Sequence, residues 1–166
     1  MYILGDIGNS ETKVFLVNSK NKILKHISFS SKKINNKILK SKFRFLIKDF
    51  NKIEKILFCS VVPKSFNFIK KFFLKNSKVK CYEIKDLNLK SLININVNYN
   101  QVGSDRLTNA ISLQNKKNNY IILDFGTATT FDVIINKTYK GGVIAPGIKI
   151  SLNSLSDKAS LIPKMS

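Results

Sequence analysis

The sequence predicts an α/β protein built from a duplicated unit, with the second copy shorter than the first. Three observations predict it. Apolar runs of strand length alternate with segments of helical period. The stretch Leu4 to Val17 lies without a gap on Ile122 to Ile135, so that Asp6 meets Asp124 and Gly8 meets Gly126. The element order that follows the first stretch, three strands and then a helix, begins again after the second.

Taken in order, Tyr2 to Asp6 and Thr12 to Asn18 are β-rich runs separated by the polar stretch Ile7 to Glu11, and Lys22 to Phe29 follows the turn at Ser19 to Asn21. Together they read as an antiparallel meander. From Asn35 to Phe50, Ile38, Leu39, Phe43, Leu46, Ile47 and Phe50 recur at helical spacing with Lys between them, which predicts one amphipathic helix. Lys55 to Val62 is nearly all apolar, the pattern of a strand buried on both faces, and Pro63 suits the first turn of a helix reaching about Lys75.

Val79 to Ile84 is a further strand. Asp86 to Asn100, rich in Asn and Leu but without a period, reads as loop. Leu107, Ala110, Ile111 and Leu113 share one side of a helix from Asp105 to Gln114, whose first turn holds Ser104 and Asp105. Tyr120 to Asp124, Thr129 to Asn136 and Tyr139 to Ile144 form a second meander, and Gly147 to Ser156 a short helix. The expected domains are residues 1–114 and 115–166.

Composition narrows the function. With 166 residues and 43% hydrophobic content the chain can bury a core. Charge interrupts every window long enough to span a bilayer, and the N-terminus lacks a secretory pattern, so a cytoplasmic protein without membrane spans is expected. Cys59 and Cys81 lack metal-ligand spacing and sit in apolar runs as small hydrophobes. His26 is the sole histidine, so any chemistry must run on carboxylates. The net charge of +19 invites a nucleic-acid partner. However, Arg44 and Arg106 are the only arginines, and Lys is spread over every segment, which reads as a solvated surface instead.

The duplicated hairpin has a physical use. Gly lets backbone approach a phosphate, nearby N–H and hydroxyl groups donate to its oxygens, and the Asp holds a cation. Two copies would clamp a nucleotide. The acceptor chemistry is suggested by Val102 to Leu107, where Asp105 at a helix start is kept ionised by the dipole and so suits proton acceptance, with helix capping as its plain structural role.

These motifs resemble the superfamily of actin, sugar kinases and heat-shock ATPases, and their wording resembles type III pantothenate kinase over nearly the whole chain. Asp6 to Lys13 is similar to that family's first phosphate motif, with Ser10 where Thr is usual. Ser60 to Pro63, Gly141 to Gly147 and Leu155 to Pro163 also match. The resemblance implies duplicated actin-like, ribonuclease H-like ATPase domains with the second incomplete, since family members continue beyond Ser166; such a domain would expose a sheet edge and apolar surface.

For the site, the resemblance implies nucleotide contacts from Asp6, Ile7, Gly8, Asn9, Ser10, Glu11, Thr12, Lys13 and Thr127. It implies Asp105 as the base for the pantothenate hydroxyl, with Gly103, Ser104 and Arg106 around the substrate. Asp124 is implied as the monovalent-cation ligand. Where the family has Tyr and then Pro upstream of Gly103, this chain has Asn96 and Tyr99, making Tyr99 the candidate pocket residue. The implied reaction is ATP-dependent phosphorylation of pantothenate, the first step of coenzyme A synthesis, by a homodimer using a divalent cation (Mg) and a monovalent one (K or NH4). A non-catalytic nucleotide-binding paralogue with a regulatory or interaction role is the alternative, ahead of a nucleic-acid binder.

Overall fold

The computed structural model of the chain describes residues 1–113 and 118–158, without the side chains of Ile47 and Lys48. The expected helix end at Gln114 and the motif end at Pro163 lie outside the described residues. The chain divides into two compact units: Met1–Leu89 with Gly103–Thr108, and Lys90–Val102 with the residues from Asn109 onward.

The first unit is built on a five-stranded sheet. Strands β1 (Tyr2–Ile7), β2 (Glu11–Val17) and β3 (Ile23–Ser30) form the antiparallel meander, and β4 (Lys55–Ser60) and β5 (Cys81–Glu83) add in parallel beside β1. Parallel pairing needs crossover connections, and these are helical. Helix α1 (Asn36–Lys42) starts where the Asn35 side chain accepts the Ile38 N–H, and α2 (Pro63–Ser77) starts on a proline whose missing N–H costs the first turn nothing.

The single helix expected from Asn35 to Phe50 is two. After α1 the chain passes Phe43 and tightens into a 3₁₀ helix, Arg44–Lys52. Packing decides the break. The Phe43 ring lies 4.9 Å from that of Phe73 and 5.7 Å from that of Phe72, and edge-on to Phe29. Leu39, Phe43, Leu46 and Phe50 are all buried, so the apolar positions are satisfied while the winding changes under them.

Helix α2 ends on Lys78 in the left-handed conformation, φ 59°, where glycine is the usual residue. Lys78→Gly is expected to stabilise the protein by about 1 kcal/mol. The check is a higher urea midpoint with an unchanged slope.

The second unit carries a four-stranded sheet. Its meander is β7 (Tyr120–Phe125), β8 (Ala128–Ile135) and β9 (Thr138–Pro146), followed by α4 (Ile148–Lys158). Asn136 and Lys137, both at positive φ, make the two-residue turn that matches strand twist. The expected loop from Asp86 to Asn100 contains a strand, β6 (Asn94–Ile95), which pairs in parallel with Thr138 and Tyr139. Two residues recruited by a distant partner leave no local period to read. Asp132 is fully buried and accepts the Tyr139 hydroxyl at 2.6 Å.

One face of this sheet is apolar and open: Ile121, Leu123, Phe125, Phe131 and Val143 are all exposed, and β7 is an edge strand. Among the described residues no helix is long and apolar enough to cross a membrane.

The two hairpins share their first strand but not their register. Asp6 pairs with Lys13, whereas Asp124 pairs with Thr130, the residue that the gapless match sets against Thr12. The second turn is therefore one residue tighter, and the equivalence of the copies slips on the return strand.

Candidate active site

In the first unit the turn after β1 closes through the Gly8 N–H, which donates to the Glu11 carbonyl at 3.0 Å. Asn9, Ser10 and Glu11 are left exposed at its tip. Ile7 and Thr12 are fully buried, backbone included, the Thr12 hydroxyl lying 2.8 Å from that of Ser31, so these two support the turn from behind. Lys13 is exposed and stands opposite Asp6 across the strands.

Asp6 also has Cys59 beside it on β4, and the thiol donates to its Oδ1 at 3.3 Å. Burial pushes the thiol far above its usual range, and the negative charge of Asp6 adds to the shift. The thiol therefore stays protonated and remains a donor. A sequence reading as a small hydrophobe misses this, because the signal is the parallel register of β1 and β4, which no local pattern reveals. Cys81, pushed up to about 12 by burial, has the plain packing role expected of it.

Helix α3 (Ser104–Ser112) begins where expected, with Asp105 in its first turn. The carboxylate is fixed from two sides. Its Oδ1 accepts the Arg106 N–H at 2.8 Å, and it lies so close over Gly103 that a Cβ there would sit 2.4 Å from it. Ser104 and Arg106 are buried, and the Thr108 hydroxyl donates to the Ser104 carbonyl at 2.8 Å. The charge of Asp105 adds a smaller push to the Cys59 thiol in the same upward direction as that of Asp6.

Gly103→Ala is expected to push the Asp105 carboxylate aside from the Arg106 N–H and to cost about 1 kcal/mol of stability. The check is a lower urea midpoint with an unchanged slope.

In the second unit Tyr99 opens a short 3₁₀ helix, Tyr99–Gln101, half-buried, its carbonyl accepting the Val102 N–H at 3.3 Å. Asp124 is exposed near the end of β7 and accepts the Asn109 carboxamide at 3.1 Å. The following turn closes from the Gly126 N–H to the Ala128 carbonyl at 2.9 Å and leaves Thr127 exposed.

Gly147, to which the sequence assigned no role, rests on this turn. Its N–H donates to the Thr127 carbonyl at 3.1 Å, and a Cβ would lie 2.3 Å from the Gly126 carbonyl oxygen. The signal available was the Pro146 and Gly147 pair between a strand and a helix.

Among the described residues no three His, Cys, Asp or Glu side chains cluster to cage a metal. The donors present are single carboxylates, hydroxyls and carbonyls. That set fits a magnesium held mainly by phosphates and a weakly demanding monovalent ion, and not a protein-caged transition metal.

The sequence profile described as type III pantothenate kinase matches residues 2–166. A curated type III pantothenate kinase from Pelagibacter ubique (strain HTCC1062) is 61% identical over 165 residues, 99% of this chain. The chain spans 66% of that relative's length, just under two-thirds.

Among solved structures, a Campylobacter jejuni protein provisionally described as a Baf family transcriptional activator aligns with TM-score 0.55 at 22% identity, covering 97% of this chain and 63% of its own. A Sinorhizobium meliloti protein provisionally described as a 2-dehydro-3-deoxygalactonokinase aligns with TM-score 0.57 at 8% identity, covering 95% and 58%. These two likenesses are of fold alone, a mixed α/β one.

Proposed function

This chain belongs to the type III pantothenate kinase family, and on that premise we propose that it serves the transfer of the γ-phosphate of ATP to the hydroxyl of pantothenate, giving 4'-phosphopantothenate at the start of coenzyme A synthesis. One observation carries the reading. Asp105 is held at the head of α3, over Gly103 and against the Arg106 N–H, in the same unit as the Asp6 to Lys13 hairpin.

The chemistry balances with these residues. The hydroxyl oxygen bonds to the γ-phosphorus, the bond from that phosphorus to the bridging oxygen of ADP breaks, and Asp105 takes the hydroxyl proton. Gly103, Ser104, Arg106 and Tyr99 line the acceptor. For the nucleotide, the first unit offers Asp6, Gly8 and the exposed Asn9, Ser10, Glu11 and Lys13, with Ile7 and Thr12 buried behind them, and the second unit offers Thr127. Bound magnesium supplies charge neutralisation at the phosphates, and Asp124 holds potassium or ammonium. A homodimer in the cytoplasm completes the proposal; the open apolar face of the second sheet is surface of the kind that association covers.

The test is mass-spectrometric detection of 4'-phosphopantothenate from pantothenate and ATP with magnesium and potassium present. Product formation dependent on this chain supports the kinase reading. ATP binding without product would replace it with the non-catalytic nucleotide-binding role, and salt-steep nucleic-acid binding without either would replace both.

A further inference from the structure

Asn109 lies one turn beyond Asp105 on α3, a spacing that sets two residues on one side of a helix. Its Nδ2 donates to Asp124 Oδ2 at 3.1 Å. What matters is the kind of donor. The chain has 29 basic residues against 10 acidic ones. Yet Asp124 takes part in neither the Met1–Glu54 nor the Lys52–Asp49 ion pair.

The strand register points the same way. Asp6 faces a lysine, whereas Asp124 faces Thr130. A lysine or arginine at position 109 would orient the carboxylate and neutralise it together. A carboxamide orients it and adds no charge. Asp124 is exposed, so its carboxylate is open to water and to any ligand the hairpin takes.

We propose that Asn109 is the positioning residue of the second hairpin, tethering one oxygen of Asp124 by a neutral hydrogen bond so that the other meets a monovalent cation with the carboxylate's charge intact. This rests on the reading of Asp124 as the cation ligand.

Two measurements on the whole chain test it. In the first, magnesium-ATP affinity is titrated with potassium at constant ionic strength. Asn109→Ala is expected to raise the potassium needed by about tenfold, the effect of losing one hydrogen bond to a charged group. Asn109→Lys, which carries its own ammonium, is expected to bind ATP without potassium. In the second, Asp124→Ala is expected to move the side-chain amide signal of Asn109 upfield in nitrogen-edited NMR.

An alanine variant with the wild-type potassium response, or an Asn109 amide that does not respond to Asp124→Ala, overturns the proposal. A wild-type chain that binds no ATP in any salt overturns the kinase reading instead, and the amide signal then decides the role of Asn109 alone.

Discussion

Asp105→Asn is expected to lower the rate of pantothenate phosphorylation by about a hundred- to ten-thousand-fold, the range set by loss of a positioned general base. The substitution is sterically silent. Asparagine keeps an Oδ1 that can accept the Arg106 N–H and fits over Gly103 as the carboxylate does. Stability should therefore change by no more than about 0.5 kcal/mol, and the affinity for ATP should hold, because no hairpin residue is touched. The diagnostic result is a collapse of kcat with near-constant ATP affinity and an unchanged melting curve. Normal turnover in this variant would remove Asp105 from the chemistry and leave it as a helix-start residue. Comparison with Gly103→Ala separates the two causes: asparagine removes proton acceptance and keeps the position, whereas alanine moves the position and keeps the acid.

Gly5→Val is expected to destabilise the first unit by about 3 kcal/mol, at the upper end of overpacking costs. Gly5 lies in the middle of β1 with Phe58 as its parallel partner, and the Phe58 ring, itself fully buried, covers the glycine. A Cβ at position 5 would fall 2.0 Å from that ring, so something has to move, and the ring is packed against Phe66 and Phe73. Adding Phe58→Leu shortens the intruding group. The pair should therefore be more stable than the sum of the single losses, with a coupling above 0.5 kcal/mol in a double-mutant cycle by urea unfolding. Strict additivity would show that the ring is not what excludes a side chain from position 5.

What could be read from the sequence follows from how local its cause is. Strand β4 and helix α2 were legible because an apolar run and Pro63 carry their own signal, and α3 because Leu107 and Ala110 mark its buried side. The Asp-x-Gly hairpins were legible through their repetition. The break at Phe43 was not, because four buried apolar residues fit an α-helix and a tighter winding alike, and neither glycine nor proline marks the change. Asn94 and Ile95 become a strand only because Thr138 and Tyr139 lie beside them. The site divides likewise. Asp105 announced itself by its neighbours Gly103 and Arg106, while the thiol of Cys59 and the carboxamide of Asn109 act on partners set by register and helix docking. Gly5 and Gly147 are glycines for reasons that lie across the sheet and across a turn, where one-dimensional reading does not reach.

What faces the aspartate in each hairpin has an electrical consequence. In the first, a lysine stands across from the aspartate, so an incoming polyanion finds a mixed field whose positive part is mobile and exposed. In the second, the same aspartate finds a hydroxyl residue and an amide, and its field stays negative. Two like hairpins thus differ in polarity because the second has no lysine on its return strand where the first has Lys13. The first aspartate therefore stands in a field part positive and the second in one wholly negative, a difference carried by the return strand and a helix and not by the turns themselves.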